Sequence, residues 1–300
     1  MNVVVCNKLL KVYGKKKALN ELSFTIQENK ITGLIGRNGA GKTTLLKVLA
    51  GFLHETAGDV QVFSEKPFNN LKVSANRIYI DDQMSFPSSL TLKDILHTAG
   101  TFYANWNQEL AERLFDYFSF HPKQRHQHLS KGMKSTFHMI LALSARCPLT
   151  ILDEPTTGMD SAVRKDFYRA LLKEYLEHPR TIILSSHLLN EIEDLLEDVL
   201  LIKEGEMTLH MSIADLKEYA IGLNGQEDAV NEIVGNREIL YEKRIGLDSA
   251  YIVVKNNFTD SEKEHASYRG VEMTSVAADD LCTYLTSKTK GGIDDVFSRG

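Results

Sequence analysis

Gly36-Arg37-Asn38-Gly39-Ala40-Gly41-Lys42-Thr43-Thr44 is the stretch on which the fold turns. It matches G-x-x-x-x-G-K-[ST], and its flanks suit it. Ile31-Thr32-Gly33-Leu34-Ile35 ahead of it reads as a buried strand, and Thr44-Leu45-Leu46-Lys47-Val48-Leu49-Ala50 behind it as a helix. Strand, glycine-rich loop and helix in that order are the context in which this motif wraps nucleotide phosphates. The glycines let the backbone curl so that successive N–H groups point inward, and the helix N-terminus adds partial positive charge there. Lys42 is expected to meet the β- and γ-phosphates, and Thr43 to ligate Mg²⁺. The stretch therefore predicts a nucleoside triphosphate site.

Working outward, Val3 to Cys6 and Leu22 to Ile26 read as strands either side of a turn at Gly14-Lys15-Lys16-Lys17. Gly58 to Phe63 and Asn76 to Ile80 are further strands. From Leu92 to about Leu143 the apolar spacing becomes helical, as in Leu110, Leu114, Phe115 and Phe118. Two fully apolar strands follow, Leu149 to Leu152 and Thr181 to Leu184, with an amphipathic helix from Asp166 to Leu176 between them. Val199 to Ile202 and a turn at Gly205 close this part. Strands alternating with helices predict an α/β core with a parallel sheet, interrupted by a helical insert. Beyond Ser212 helices are expected at Ile213 to Tyr219, Glu227 to Ile233 and Ala278 to Ser287. Strands are expected at Glu238 to Tyr241 and Tyr251 to Val254, making a small α+β appendage.

Three further features carry chemistry. Asp153-Glu154 ends an apolar strand, where a Mg²⁺-organising carboxylate is needed beside a phosphate loop. Asp153 takes that role, and Glu154 is placed to accept a proton from the water attacking the γ-phosphorus. His187 follows the next apolar strand, at the sheet end where such folds bind ligands, and can contact the γ-phosphate. Leu129-Ser130-Lys131-Gly132-Met133 reads as a helix start, with Ser130 as N-cap.

This ordered set, with Ile151-Leu152-Asp153-Glu154-Pro155-Thr156 and Gly158-Met159-Asp160, resembles the motif set of ABC-transporter ATPase subunits over about residues 3–210. The resemblance implies a P-loop NTPase fold of two lobes: a RecA-like parallel sheet with an antiparallel β subdomain, and a helical subdomain. On that basis residues 1–212 form the nucleotide-binding domain, with the helical subdomain at about 84–145. Residues 213–300 form a small α+β domain for dimerisation or regulation. A head-to-tail dimer is also implied, in which Ser130, Lys131, Gly132 and Met133 of one subunit close over ATP held by Gly36–Thr44 of the other, with Asp160 at the seam. Tyr13 matches the aromatic that stacks on adenine; a strand tyrosine filling the core is the alternative. Gln83 matches the glutamine linking γ-phosphate and Mg²⁺ to the helical subdomain, although a one-residue shift puts Asp82 there.

The form L-S-K-G-M departs from the commoner L-S-G-G-Q at Lys131 and Met133. It resembles the exporter ATPases that pair with separate ABC-2 type permeases, the branch containing bacitracin- and lantibiotic-type exporters. Ala104 to Leu110 and Asp280 to Thr286 also resemble that branch. The implied function is an ATP-hydrolysing motor that drives such a permease to export peptides or drugs. Met84, Phe86, Pro87 and Leu90 are the expected apolar docking strip for it. Chromosome-acting relatives need long coiled-coil arms and ribosome-acting ones two tandem cores, and neither pattern occurs in the sequence.

Composition agrees with this reading. A formal net charge of −5 argues against a dedicated nucleic-acid binder. Cys6, Cys147 and Cys282 are widely spaced and read as reduced thiols of a cytoplasmic protein. No apolar run approaches the roughly 18 residues needed to span a bilayer. Met1 to Val5 lacks the charged region of a signal peptide. The expected location is the cytoplasmic face of the membrane, reached through a partner.

Overall fold

The computed structural model describes residues 1–246 and 248–287. The chain opens with a hairpin in which β1 (Asn2–Tyr13) pairs antiparallel with β2 (Lys16–Gln27). Both strands run longer than the sequence predicts. Register shifts break the alternation, and Lys8 and Glu21 at those shifts sit at φ of 47° and 52°. A bulge of this kind moves following side chains to the other face and hides a strand from a period-two search.

β3 (Ile31–Ile35) then enters the interior with every residue buried, and α1 (Lys42–Leu49) follows the phosphate loop. Leu45, Leu46 and Leu49 of α1 are fully buried, each contributing about 1.5–3 kcal/mol relative to exposure. β4 (Ala57–Val62) returns to β1, giving the antiparallel sheet β2-β1-β4.

After the short α2 (Leu71–Ala75) and β5 (Arg77–Ile80) comes the helical insert: α3 (Leu92–Phe102), α4 (Gln108–Tyr117) and α5 (Lys131–Ala145). The continuous helical pattern of the sequence thus resolves into three helices. Thr91 starts α3 with a capping box to Asp94, and the Asn107 side chain caps α4. From Ser135 to Ala145 every residue of α5 is buried, so it is the axis on which α3 and α4 pack. Arg146, at its C-cap, is held by Glu174 through Nε–Oε1 at 2.7 Å.

The core resumes with β6 (Leu149–Asp153), α6 (Ser161–Glu177), β7 (Thr181–Ser186), β8 (Asp198–Lys203) and β9 (Glu206–Ser212). They complete a sheet of order β5-β6-β7-β3-β8-β9, parallel from β5 through β8. β3, β6 and β7 are buried almost end to end, as parallel strands covered on both faces must be. Since β5, β6, β7 and β3 are parallel neighbours, the residues following each emerge at one edge of the sheet.

The chain divides into two compact units at His210/Met211. The second contains α7 (Ile213–Glu218), β10 (Ala220–Gln226), α8 (Glu227–Val234), β11 (Ile239–Ile245), β12 (Ser249–Lys255), α9 (Asp260–Tyr268), β13 (Glu272–Ser275) and α10 (Ala278–Thr286). Its antiparallel sheet, ordered β11-β12-β10-β13 with α8 and α9 as crossovers, is the βαββαβ ferredoxin-like arrangement. Leu223, Val230, Ile252, Val254, Phe258 and Ala266 belong to its core. Residues 288–300, the end of the expected C-terminal domain, lie outside the described residues.

The sequence hides two of these strands and one helix for physical reasons. β10 contains Gly222, where a Cβ would lie 2.5 Å from the Tyr251 hydroxyl oxygen, so the strand lacks an apolar run. β13 is only four residues long. α9 buries Ala266 alone; its visible mark is the capping box between Thr259 and Glu262.

Candidate functional site

The phosphate loop leaves β3 at Gly36, and its glycines are required by what surrounds them. A Cβ on Gly36 would stand 2.5 Å from the Ile202 carbonyl oxygen, and one on Gly41 would stand 2.5 Å from that of Ala18. Gly39 and Gly41 lie at φ of 82° and 110°, where side chains are disfavoured. The N-cap of α1 is Gly41, and no side chain caps the helix. The first N–H groups of α1 therefore have no side-chain acceptor, the condition under which a helix start takes an anion.

Above the loop lies a cavity of about 600 Å³, lined by Tyr13, residues 37–44 and Asp81, Asp82, Gln83, Asp153 and Glu154. Lys42 is only 6 % exposed; its Nζ donates to the Gly36 carbonyl at 2.6 Å and lies 3.3 Å from Glu154 Oε1. Tyr13 is 47 % exposed at the end of β1 and is not a core residue; the Lys11 ammonium lies 5.2 Å from its ring centre. Gln83 donates its backbone N–H to Asp81 Oδ1 at 3.2 Å.

Asp153 is buried at the end of β6. Ser185 donates to its Oδ1 at 2.6 Å and Tyr79 to its Oδ2 at 3.3 Å. Burial and the neighbouring Asp153 push the Tyr79 hydroxyl pKa up, so it remains a donor. Glu154 adopts φ of 49°, a conformation a side-chain residue keeps only when its neighbours hold it there. Its N–H donates to Ser185 Oγ at 2.9 Å, and its carbonyl accepts from Thr157 Oγ1 at 2.8 Å. That turn aims the carboxylate across the sheet edge: Oε1 faces Lys42, and Oε2 lies 2.7 Å from His187 Nδ1. Lys42, Glu154 and His187, from three different strand ends, form one contiguous set.

Ser130, Gly132, Met133 and Asp160 do not line this cavity. They line a separate groove of about 250 Å³ beside Phe118 and Met159. Ser130 caps α5, accepting from the Met133 N–H at 3.3 Å, and Asp160 caps α6 through the N–H groups of Ala162 and Val163. Gly132 is pressed against the neighbouring turn, where a Cβ would stand 2.3 Å from the Gly158 carbonyl oxygen. Gly132→Ala must move backbone, and is expected to cost about 1–3 kcal/mol, seen as a lowered thermal midpoint. A midpoint equal to wild type would show that the turn yields freely. Lys131 lies 3.6 Å from Asp82 Oδ2, reaching back to the cavity rim.

Of the apolar residues after Gln83, Phe86 packs edge-on against His126 at 5.1 Å and against Phe137 inside the helical subdomain. Pro87 is exposed, while Met84 and Leu90 are half-buried. Sequence reasoning missed Asp81, Ser185 and Thr157. Each acts only through residues distant in the chain or through a turn the sequence does not show; Ser185 looks like the end of a buried strand.

Comparison with known proteins agrees with this geometry. The family profile described as "ABC transporter" matches residues 19–157. An uncharacterized ABC transporter ATP-binding protein of Methanocaldococcus jannaschii is 31% identical, spanning 87% of this chain and 93% of its own. The bacitracin transport ATP-binding protein BcrA of Bacillus licheniformis is 31% identical over 72% of each chain. The solved ATP-binding subunit of an ABC transporter shares the fold, with TM-score 0.64 at 23% identity, covering 72% of this chain and 92% of that one. Fold and site define an ATP-binding cassette. The chain belongs to the ABC transporter ATP-binding family: it is an ATPase, the motor subunit of a transporter whose membrane component is a separate permease.

Proposed function

We propose that two such subunits work head to tail, each holding ATP between its own phosphate loop and the partner's Ser130–Met133 helix start. The observation that carries this is the separation of the chain's two half-sites. Its phosphate cavity and its Ser130–Asp160 groove are lined by different residues, which supports a reading in which a second subunit completes each one. Asp160 then lies at the seam. Tyr13 stacks on the base, and Lys42 with the first N–H groups of α1 binds the phosphates. Glu154 takes a proton from water as the water oxygen attacks the γ-phosphorus and ADP leaves; His187 orients that carboxylate and contacts the γ-phosphate. Thr43 and Asp153, with Gln83 or Asp82, are the oxygen donors suited to Mg²⁺. The ion supplies charge neutralisation at the β- and γ-phosphates when bound.

The permease is of the ABC-2 type and the direction is export, on the strength of the L-S-K-G-M signature and the similarity to a bacitracin transport protein. The cargo class is a peptide or lipophilic drug. No described helix is long and apolar enough to cross a membrane, and the subunit sits peripherally on the cytoplasmic face through the permease. Residues 1–212 are the motor domain, and residues 213–300 serve dimerisation or regulation. Met84, Pro87 and Leu90 remain the residues offered to the permease.

Affinity purification of the chain from detergent-solubilised membranes tests this reading. A polytopic membrane protein is expected to co-purify in stoichiometric amount, with ATPase activity. Stoichiometric DNA or ribosomes in its place would overturn it.

A further inference from the structure

No residue of α5 lines the phosphate cavity, yet this helix is bonded to the turn that sets Glu154. Ser135, in the second turn of α5 and only 6 % exposed, donates its hydroxyl to the Thr157 carbonyl at 2.8 Å. Thr157 then donates twice to the Glu154 carbonyl, from Oγ1 at 2.8 Å and from its N–H at 3.2 Å. Hydrogen bonds therefore run without a break from the helix to the residue that bears the carboxylate. Gly132, three residues before Ser135 and so on the same face of α5, is the residue pressed against the Gly158 carbonyl. One face of the helix thus meets two successive peptides of the turn.

Glu154 depends on such holds, because its φ of 49° persists only where the surroundings impose it. On its N-terminal side the hold is rigid: its N–H donates to Ser185 Oγ of β7, a strand paired on both edges. On its C-terminal side the hold is Thr157, which belongs to no strand or helix. That turn is fastened in its own right by side chains of two helices. Tyr168 of α6 meets the Thr156 hydroxyl at 3.2 Å, and Ser135 of α5 takes the Thr157 carbonyl. Of the two, Ser135 bonds the residue that holds Glu154 directly.

We propose that Ser135 is a positioning residue for ATP hydrolysis, holding Glu154 in its reacting geometry through the Thr157 carbonyl. The inference deepens the reading of Glu154 as general base and rests on it. Ser135 lines neither the cavity nor the groove, so its loss leaves Lys42, the first N–H groups of α1 and Tyr13 in place to bind nucleotide. What it loosens is the aim of the carboxylate at the attacking water. A misplacement of this kind is felt in turnover.

The test uses the full chain, with steady-state and single-turnover ATPase rates and ATP calorimetry. Ser135→Ala removes the donor and suits a helix, so the variant should fold. It is expected to lower kcat about fivefold, with ATP Kd within about twofold of wild type. A role in packing alone would slow whatever hydrolysis the chain performs. A role exerted through the Glu154 carboxylate has nothing to act on once that carboxylate is gone. In the Glu154→Gln background, Ser135→Ala is therefore expected to leave the residual single-turnover rate within about twofold. Unchanged kcat in Ser135→Ala overturns the proposal. So does a further loss of about fivefold in the Glu154→Gln background, since the two effects are then independent. A Glu154→Gln chain that turns over at the wild-type rate overturns the general-base reading itself, which separates the two failures.

Discussion

Glu154→Gln is expected to bind ATP at least as tightly as wild type while hydrolysing it about 10²–10⁴-fold more slowly, the range removed with a general base. The amide fills the same space and can still meet His187 and Lys42, but it cannot take the proton of the attacking water. Affinity should rise for an electrostatic reason visible without nucleotide. Glu154 Oε1 lies 3.3 Å from Lys42 Nζ, so the carboxylate competes with the γ-phosphate for that cation and repels the phosphate as well. The substitution removes both effects. With binding intact and turnover lost, the two-subunit, two-ATP state accumulates and is measurable by light scattering. A variant that stays monomeric at millimolar ATP contradicts the shared site, and one that turns over normally removes Glu154 from the base role.

Lys42→Ala is expected to lose nucleotide binding. Its ammonium can make charge-assisted bonds to two phosphates, each worth about 1.5–3 kcal/mol, so affinity should fall by about 10² or more. The fold should survive. Lys42 is buried, but Glu154 retains His187, and only the Gly36 carbonyl gives up a donor. Circular dichroism and the thermal midpoint check that point separately from calorimetry. Unaltered ATP affinity in a folded variant would refute the role given to the loop.

Much of the core was legible because its signals are local. The phosphate loop turns through positive φ at Gly39 and Gly41, a demand of the loop's own backbone, and the buried parallel strands announce themselves as apolar runs. The Ser130 cap was equally readable, since a side chain bonding an N–H three residues on is a short-range event. The hairpin's full length was hidden by bulges, β10 by its glycines, and α9 by its nearly unburied surface.

By itself, then, the sequence placed the residues on which the proposed chemistry rests at the strand ends: the loop glycines, Lys42, Asp153, Glu154 and His187. Only the tertiary structure decided which of these meet. In the order β6-β7-β3 the strand that leads to His187 lies between the one ending in Asp153 and the one that feeds the phosphate loop, and parallel pairing sends all three chain ends to one edge. That is why Lys42, Glu154 and His187 touch. The same fold turns Ser130 and Gly132 toward Gly158 and away from the cavity, because α5 starts against the turn that follows β6. Such distances depend on strand order and helix packing, which no short-range pattern in the chain encodes.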